Sequence, residues 1–204
     1  MIDELVDKIY CINLDRRPDR WQLASEQFVK HGLQVERFAA IDGNDFRIKY
    51  KADNANNGCT LSHYFLVERA KILGFNSVMI FEDDAVLHDQ FDFLLEDCIQ
   101  QLPADWDMLY FGGSHRQKPS YVTERLLRVH KTLTTHGYII RASMFNQVIN
   151  NLKNLQNPVD CFYAEWQKEF NVFITNPPIA WQRGGSSDIC KREMHYEWIR
   201  TNEQ

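Results

Sequence analysis

The chain has 204 residues, 44% hydrophobic and 25% charged, the proportions of one ordinary globular domain. Its formal charge of −5 argues against a nucleic-acid partner or a generally basic membrane-binding surface, because phosphate backbones and anionic lipids are not drawn to a net acidic protein. No apolar run reaches membrane-span length, no signal-peptide layout opens the chain, and five dispersed cysteines form no CxxC pair, which together favour a reducing, cytoplasmic setting with no transmembrane segment.

In chain order, "KIYCINL" (8–14) predicts a short buried strand. The helix after it has Pro18 in its first turn, Gly32 as its stop, and Trp21, Ala24 and Phe28 on one inward face. "VERFAAI" (35–41) predicts a second strand that ends at an Asp42-Gly43 turn, and the polar run 51–58 predicts a loop. A helix follows over 59–74, then the strand "SVMIF" (77–81). Phe91, Leu94, Leu95, Cys98 and Leu102 give the clearest amphipathic helix. Strands over 106–113 and 136–142, helices over 144–155 and 160–170 and an extended segment over 171–181 complete the series. Strands alternating with helices predict an α/β fold on a largely parallel sheet, which binds ligands at the carboxyl ends of its strands.

One strand runs directly into Glu82, Asp83 and Asp84. Like charges resist burial together, so a cation is one explanation for the cluster. Residues two apart share a face, so Glu82 and Asp84 can converge while Asp83 points away. Hard oxygen ligands suit Mn²⁺ or Mg²⁺; a solvated acidic loop, or "DDAVLHDQF" opening the next helix, is the other reading. A second cluster, Arg16, Arg17 and Arg20, offers forks that match phosphate oxygens, or else pairs with Asp15 and Asp19 on the surface. Neither a G-x-G-x-x-G nor a P-loop is present, so a dinucleotide fold and a P-loop kinase have no support.

The ordered set "CINLDRRPDRW", "FAAIDG", "GCTLSH", "MIFEDDA", "DMLYFGG", "THGYIIRASMF", "PVDCF" and "PPIAWQRGGSSDI" resembles the family 25 glycosyltransferases over about residues 8–190. That family includes bacterial lipopolysaccharide and lipooligosaccharide galactosyltransferases and collagen-modifying galactosyltransferases. The resemblance implies a single GT-A-type, Rossmann-like domain over 1–204. Its donor-binding half would cover about 1–113 and its acceptor side about 114–190, with a short tail over 191–204. It also implies a metal-dependent inverting transfer of galactose or glucose from a UDP-sugar to a glycan or glycoconjugate acceptor. Alternatives are a nucleotide-sugar hydrolase or a non-catalytic binding domain of the same fold.

Carried onto this sequence, the resemblance implies that Asn13, Leu14, Arg17 and Arg20 line the nucleotide pocket, with Ala40 and Asp42 beside the base or ribose. Gly58 would let a helix begin close to the ligand, with Ser62 and His63 facing the donor. Two registers of the acidic motif are open. In one, Glu82 and Asp84 both reach the metal; in the other, Asp84 alone binds it while Glu82 and Asp83 meet hydroxyls. Asp160 is the first candidate for the base and Glu165 the second, against an ordinary N-cap and a solvent-facing residue. Ser186, Ser187 and Asp188 would close over the phosphates or form a plain turn. His136 is a further candidate ligand, Trp106, Trp166 and Trp181 are stacking or core residues, and the basic-aromatic end of the chain permits weak membrane-surface contact.

Overall fold

The computed structural model describes residues 2–43, 54–155, 157–186 and 192–200. A short helix α1 (Ile2–Leu5) leads into β1 (Lys8–Asn13), α2 (Pro18–Lys30), β2 (Val35–Ala39), α3 (Asn54–Ile72), β3 (Ser77–Glu82), β4 (Ala85–Leu87) and α4 (Phe91–Gln100). Next come β5 (Met108–Tyr110), β6 (Ser114–Gln117), β7 (Ser120–Thr123), β8 (Leu126–Arg128), β9 (Lys131–Leu133) and β10 (Gly137–Arg141). The remainder is α5 (Ala142–Leu152), α6 (Val159–Trp166), β11 (Val172–Thr175), β12 (Ala180–Gln182), β13 (Gly185–Ser186), β14 (Glu193–Met194) and a 3₁₀ turn over Glu197–Arg200.

Eight strands form the central sheet in the order β2-β1-β3-β10-β5-β11-β8-β7. Six of them point one way, and β10 and β8 run against the rest. Strand periodicity sorts the core into two layers. Ile9, Cys11, Met79, Phe81, Leu109, Phe111, Ile139 and Phe173 pack under α2 and α4. The alternating Tyr10, Ile12, Val78, Ile80, Met108, Tyr110, Tyr138, Ile140, Val172 and Ile174 pack under α3, α5 and α6. The result is a sheet between two helical layers, the expected α/β architecture. Among the described residues no helix is long and apolar enough to cross a membrane.

Local signals account for several elements. In α2, Pro18 occupies the first turn with Asp19, Ala24 and Phe28 are buried, and Gly32 takes a left-handed φ of +64° just past the end. The rings of Phe28, Phe91 and Phe111 surround Phe81 with centroids 5.2–6.1 Å away, which fixes the end of β3 where the carboxylates begin.

Four expectations change. The run 51–58 is helical in its described part, because α3 starts at Asn54. Residues 85–87 extend no helix; they pair antiparallel with β12. The extended segment 171–181 is two strands interrupted at the cis Asn176–Pro177 bond. Between β5 and β10 lie four short strands that the sequence pattern does not announce. At the end of β5, a side chain on Gly112 would collide with the Ala180 carbonyl, so this glycine lets β12 cross beside the sheet.

Candidate functional site

The carboxyl ends of β1, β2 and β3 open into a cavity of about 450 Å³. The antiparallel direction of β10 matters here, because it puts the start of that strand beside the end of β3. Gly137 pairs with Phe81, and the Glu82 N–H donates to the His136 carbonyl at 3.0 Å. Thr134 and Thr135 thereby reach the cavity wall. The N-terminal turn of α6 contributes Asp160, and the segment after β12 contributes Arg183.

Each of the three carboxylates has a different environment. Asp83 turns toward α2: its Oδ2 accepts from Asn13 Nδ2 at 2.7 Å and its Oδ1 from Arg20 at 3.1 Å. Burial still raises its pKa from the ordinary value, with those two partners acting against the rise. Glu82 turns the other way, toward α3. Its Oε1 lies 3.3 Å from His63 Nε2 and accepts from the Thr135 hydroxyl at 2.5 Å. Burial pushes its pKa up, but His63 and Thr135 outweigh this and hold it below the ordinary value.

Asp84 has no comparable partner. Among the described residues its Oδ2 accepts only a long bond of 3.4 Å from Gln182, and its buried Oδ1 has no hydrogen-bond partner. Burial first, then the charges of Glu82 and Asp83, push its pKa up to about 8. Among the described residues, the cavity is lined by five acidic residues (Asp42, Glu82, Asp83, Asp84 and Asp160) and three arginines (Arg16, Arg20 and Arg183). Such a cavity repels a diphosphate unless a cation enters with it. An orphaned, buried carboxylate oxygen beside further oxygen donors fits a hard divalent ion.

The opposite wall is made by close backbone approach. Ser62 Oγ accepts from the Ile41 N–H at 2.8 Å and donates to the Gly58 carbonyl at 2.7 Å, stitching the 40–43 segment to α3. A Cβ on Gly58 would sit 2.5 Å from both Gly43 N and Ile41 O, backbone atoms that cannot swing aside. Gly58→Ala is therefore expected to cost about 3 kcal/mol in chemical denaturation. A loss below about 0.5 kcal/mol would show that the segment yields freely.

Leu14, Arg20, Ala40, Asp42, Ser62, Glu82, Asp83, Asp84 and Asp160 all line the cavity. Asn13 stands behind Asp83 and is itself held by Arg37 Nε at 2.8 Å. Asp42 pairs with Arg16 at 3.0 Å. His63 is buried behind Glu82, its Nδ1 2.7 Å from the Tyr138 hydroxyl. The structure does not bring Arg17 or Glu165 to the cavity. Arg17 pairs with Asp19 at 2.8 Å, and exposed Glu165 lies 4.0 Å from Lys131. Ser186 is described by its backbone in β13, and Ser187 and Asp188 fall outside the described residues. Trp106 and Trp166 are core residues, whereas Trp181 packs against Arg200 at 4.8 Å. His136 is buried away from the cavity lining, donating from Nε2 to the Ala180 carbonyl at 3.2 Å, and burial lowers its pKa.

Sequence reasoning misses Thr134, Thr135, Gln182 and Tyr196 and names Arg16 only in passing. Arg183 lies within the quoted "QRGG" run; its backbone N–H donates to the Asp84 carbonyl at 2.7 Å, and the residue lines the cavity. Among the described residues that guanidinium forms no ion pair or side-chain hydrogen bond. A charged group left without a partner in an acidic cavity is where an anion would bind.

The chain matches the family described as "Glycosyltransferase family 25 (LPS biosynthesis protein)" over residues 6–129. It is 29% identical over 154 residues to a glycosyltransferase 25 family member of Aedes aegypti, covering 65% of this chain and 25% of the relative. It is 26% identical over 161 residues to procollagen galactosyltransferase 2 of Homo sapiens, covering 66% of this chain and 26% of the relative. The chain thus spans about a quarter of the length of these relatives. Its fold is similar to that of a mannose-1-phosphate geranyltransferase from Thermus thermophilus, with a TM-score of 0.51 at 8% identity over 82% of this chain and 72% of the other.

Proposed function

The chain belongs to glycosyltransferase family 25, and from that premise we propose that it moves a hexose, galactose or glucose, from a UDP-sugar to a hydroxyl of a glycan or glycoconjugate, with inversion. The observation that carries this reading is the acidic cavity in which Asp83 and Glu82 have protein partners and Asp84 Oδ1 has none among the described residues. Asp84 would hold Mn²⁺ or Mg²⁺, with Glu82 contributing from the neighbouring wall. A bound divalent ion would supply Lewis-acid neutralisation of the charge that grows on the departing diphosphate. Arg183 would meet the same oxygens from the segment facing Asp84. The 40–43 segment, held against α3 by Ser62, would receive the nucleoside end, with Leu14 and Ala40 supplying apolar surface.

Asp160 is the proposed base. Its Oδ1 accepts from the Cys161 N–H at 2.8 Å and its Oδ2 from the Thr134 N–H at 3.3 Å. Those bonds orient the carboxylate and leave lone pairs for an acceptor hydroxyl in the cavity. Galactose is favoured by the name of the human relative, and the hexose and linkage follow from one or two side-chain contacts that a donor complex would reveal.

Calorimetric titration of UDP, UDP-galactose and UDP-glucose, first with Mn²⁺ and then with EDTA, tests the reading. Binding of at least one ligand with Mn²⁺, lost with EDTA, is the expected result. Binding that ignores EDTA would remove the cation from the site, and no binding of any of the three would remove the UDP-sugar. A large rise in UDP release on adding a glycan acceptor then separates transfer from hydrolysis.

A further inference from the structure

On the wall of the cavity next to His63 lies a second group of ligand atoms whose chemistry differs from that of Asp84. Cys59 and His63 are four residues apart on α3 and so share a face. With Glu82 they bring one sulfur, one imidazole nitrogen and one carboxylate oxygen within 4.8 Å of one another. We propose that Cys59, His63 and Glu82 form a binding site for a borderline transition-metal ion of the zinc class, which shares the Glu82 carboxylate with the hard-cation position at Asp84 and differs from it by its sulfur and nitrogen ligands.

The geometry supports a tetrahedral ion. Zinc bonds to nitrogen and oxygen of about 2.0–2.1 Å, at a tetrahedral angle, place those two atoms about 3.3 Å apart. His63 Nε2 and Glu82 Oε1 are 3.3 Å apart. Cys59 is half-buried and lines the cavity, so rotation about its side chain can close the remaining gap. Three protein ligands leave the fourth position facing the cavity, for a water or a substrate oxygen.

The surroundings supply what such a ligand set needs. A metal-bound histidine keeps its other ring nitrogen bonded to a fixed partner. Here His63 Nδ1 meets the Tyr138 hydroxyl at 2.7 Å, and that hydroxyl contacts the Tyr163 hydroxyl at 3.3 Å. With an ion bound, Nδ1–H donates to Tyr138 and Nε2 presents its lone pair; without one, Nε2–H donates to Glu82. The thiol proton leaves to solvent as the thiolate binds. Thr135, donating to Glu82 Oε1 at 2.5 Å, steadies the carboxylate in both states.

Cobalt(II), a coloured stand-in for zinc, tests the site on the full chain with no donor present. The expected result is a thiolate-to-cobalt charge-transfer band with intense tetrahedral visible bands, displaced by one equivalent of Zn²⁺. The band should persist in Asp84→Ala and be lost in Cys59→Ser. A weak octahedral spectrum without the thiolate band would overturn the proposal, as would a band that survives Cys59→Ser. Site-resolved alkylation of the unaltered protein gives a readout independent of any variant's folding. Zn²⁺ should slow modification of Cys59 at least tenfold while sparing Cys161, which lines the same cavity; equal rates at Cys59 with and without Zn²⁺ would overturn the site. Both readouts omit the sugar donor, so their failure leaves the transferase reading standing, and failure of that reading leaves them untouched.

Discussion

Asp84→Asn is expected to raise the stability of the cation-free protein while abolishing metal-dependent donor binding and transfer. These opposite effects share one cause. Burial, followed by the charges of Glu82 and Asp83, pushes the Asp84 carboxyl up to about 8, whereas in the unfolded chain it titrates near about 3.9. The folded state therefore holds a proton that the unfolded state releases. Stability associated with this group is fully present below about pH 4, declines as pH rises, and is gone above about pH 8. An amide in its place carries no charge to bury, so the variant should be about 2 kcal/mol more stable than the parent at pH 8.5 in EDTA, with a flatter pH profile. Mn²⁺ should raise the melting temperature of the parent and leave that of the variant unchanged. Denaturation curves across this range, with EDTA and then with Mn²⁺, check both halves. A parent protein indifferent to pH and to Mn²⁺ would remove Asp84 as the cation ligand, and a variant that still transfers sugar would do so from the other side.

Much of this arrangement is legible in the sequence because the signals are local. Pro18, the Ala24/Phe28 spacing and Gly32 define α2 without help from the rest of the chain. Period two, continued one residue past the end of β3, places Asp83 on the face opposite Glu82, and the structure finds them bonded to α2 and α3 respectively. Which carboxylate lacks a partner is not local. Asn13 and Arg20, the partners of Asp83, are 70 and 63 residues away, and no spacing rule links them to it. The direction of β10 is equally invisible, since an apolar run reads the same in a parallel or an antiparallel strand, yet that direction delivers Thr134 and Thr135 to the site. The short strands over 114–133 are half-exposed and irregular, and bulges shift two of their pairings, so no alternation announces them. The separation of Asp160 from Glu165 is readable: five residues put them about 140° apart around a helix, too far to face one acceptor. Tyr196 reaches the cavity from beyond the resembling stretch, where no motif points to it.

Asp160→Asn is expected to lower the turnover number of sugar transfer by at least about 100-fold while leaving the donor dissociation constant within about twofold. The substitution separates the two roles that the carboxylate can have. As a structural group, Asp160 accepts from the N–H groups of Cys161 and Thr134, the latter on a residue held at a φ of 78°. Asparagine has one acceptor oxygen and so keeps one of the two bonds, the shorter one to Cys161 N–H, at the expense of the long 3.3 Å bond from Thr134, and the residue in the first turn of α6 remains compatible with the helix. As a base it loses everything, because an amide cannot take a proton from the acceptor hydroxyl at neutral pH. A structural role would therefore show as a fall in stability and a looser donor site with turnover nearly intact. A catalytic role would show as normal calorimetric binding of the donor, a near-normal melting temperature and very slow transfer. Slow hydrolysis of the donor should persist at the parent's low rate if departure of UDP depends on groups on the Asp84 and Arg183 side of the cavity. Loss of hydrolysis together with transfer would instead place Asp160 on the donor side and leave the acceptor without an assigned base.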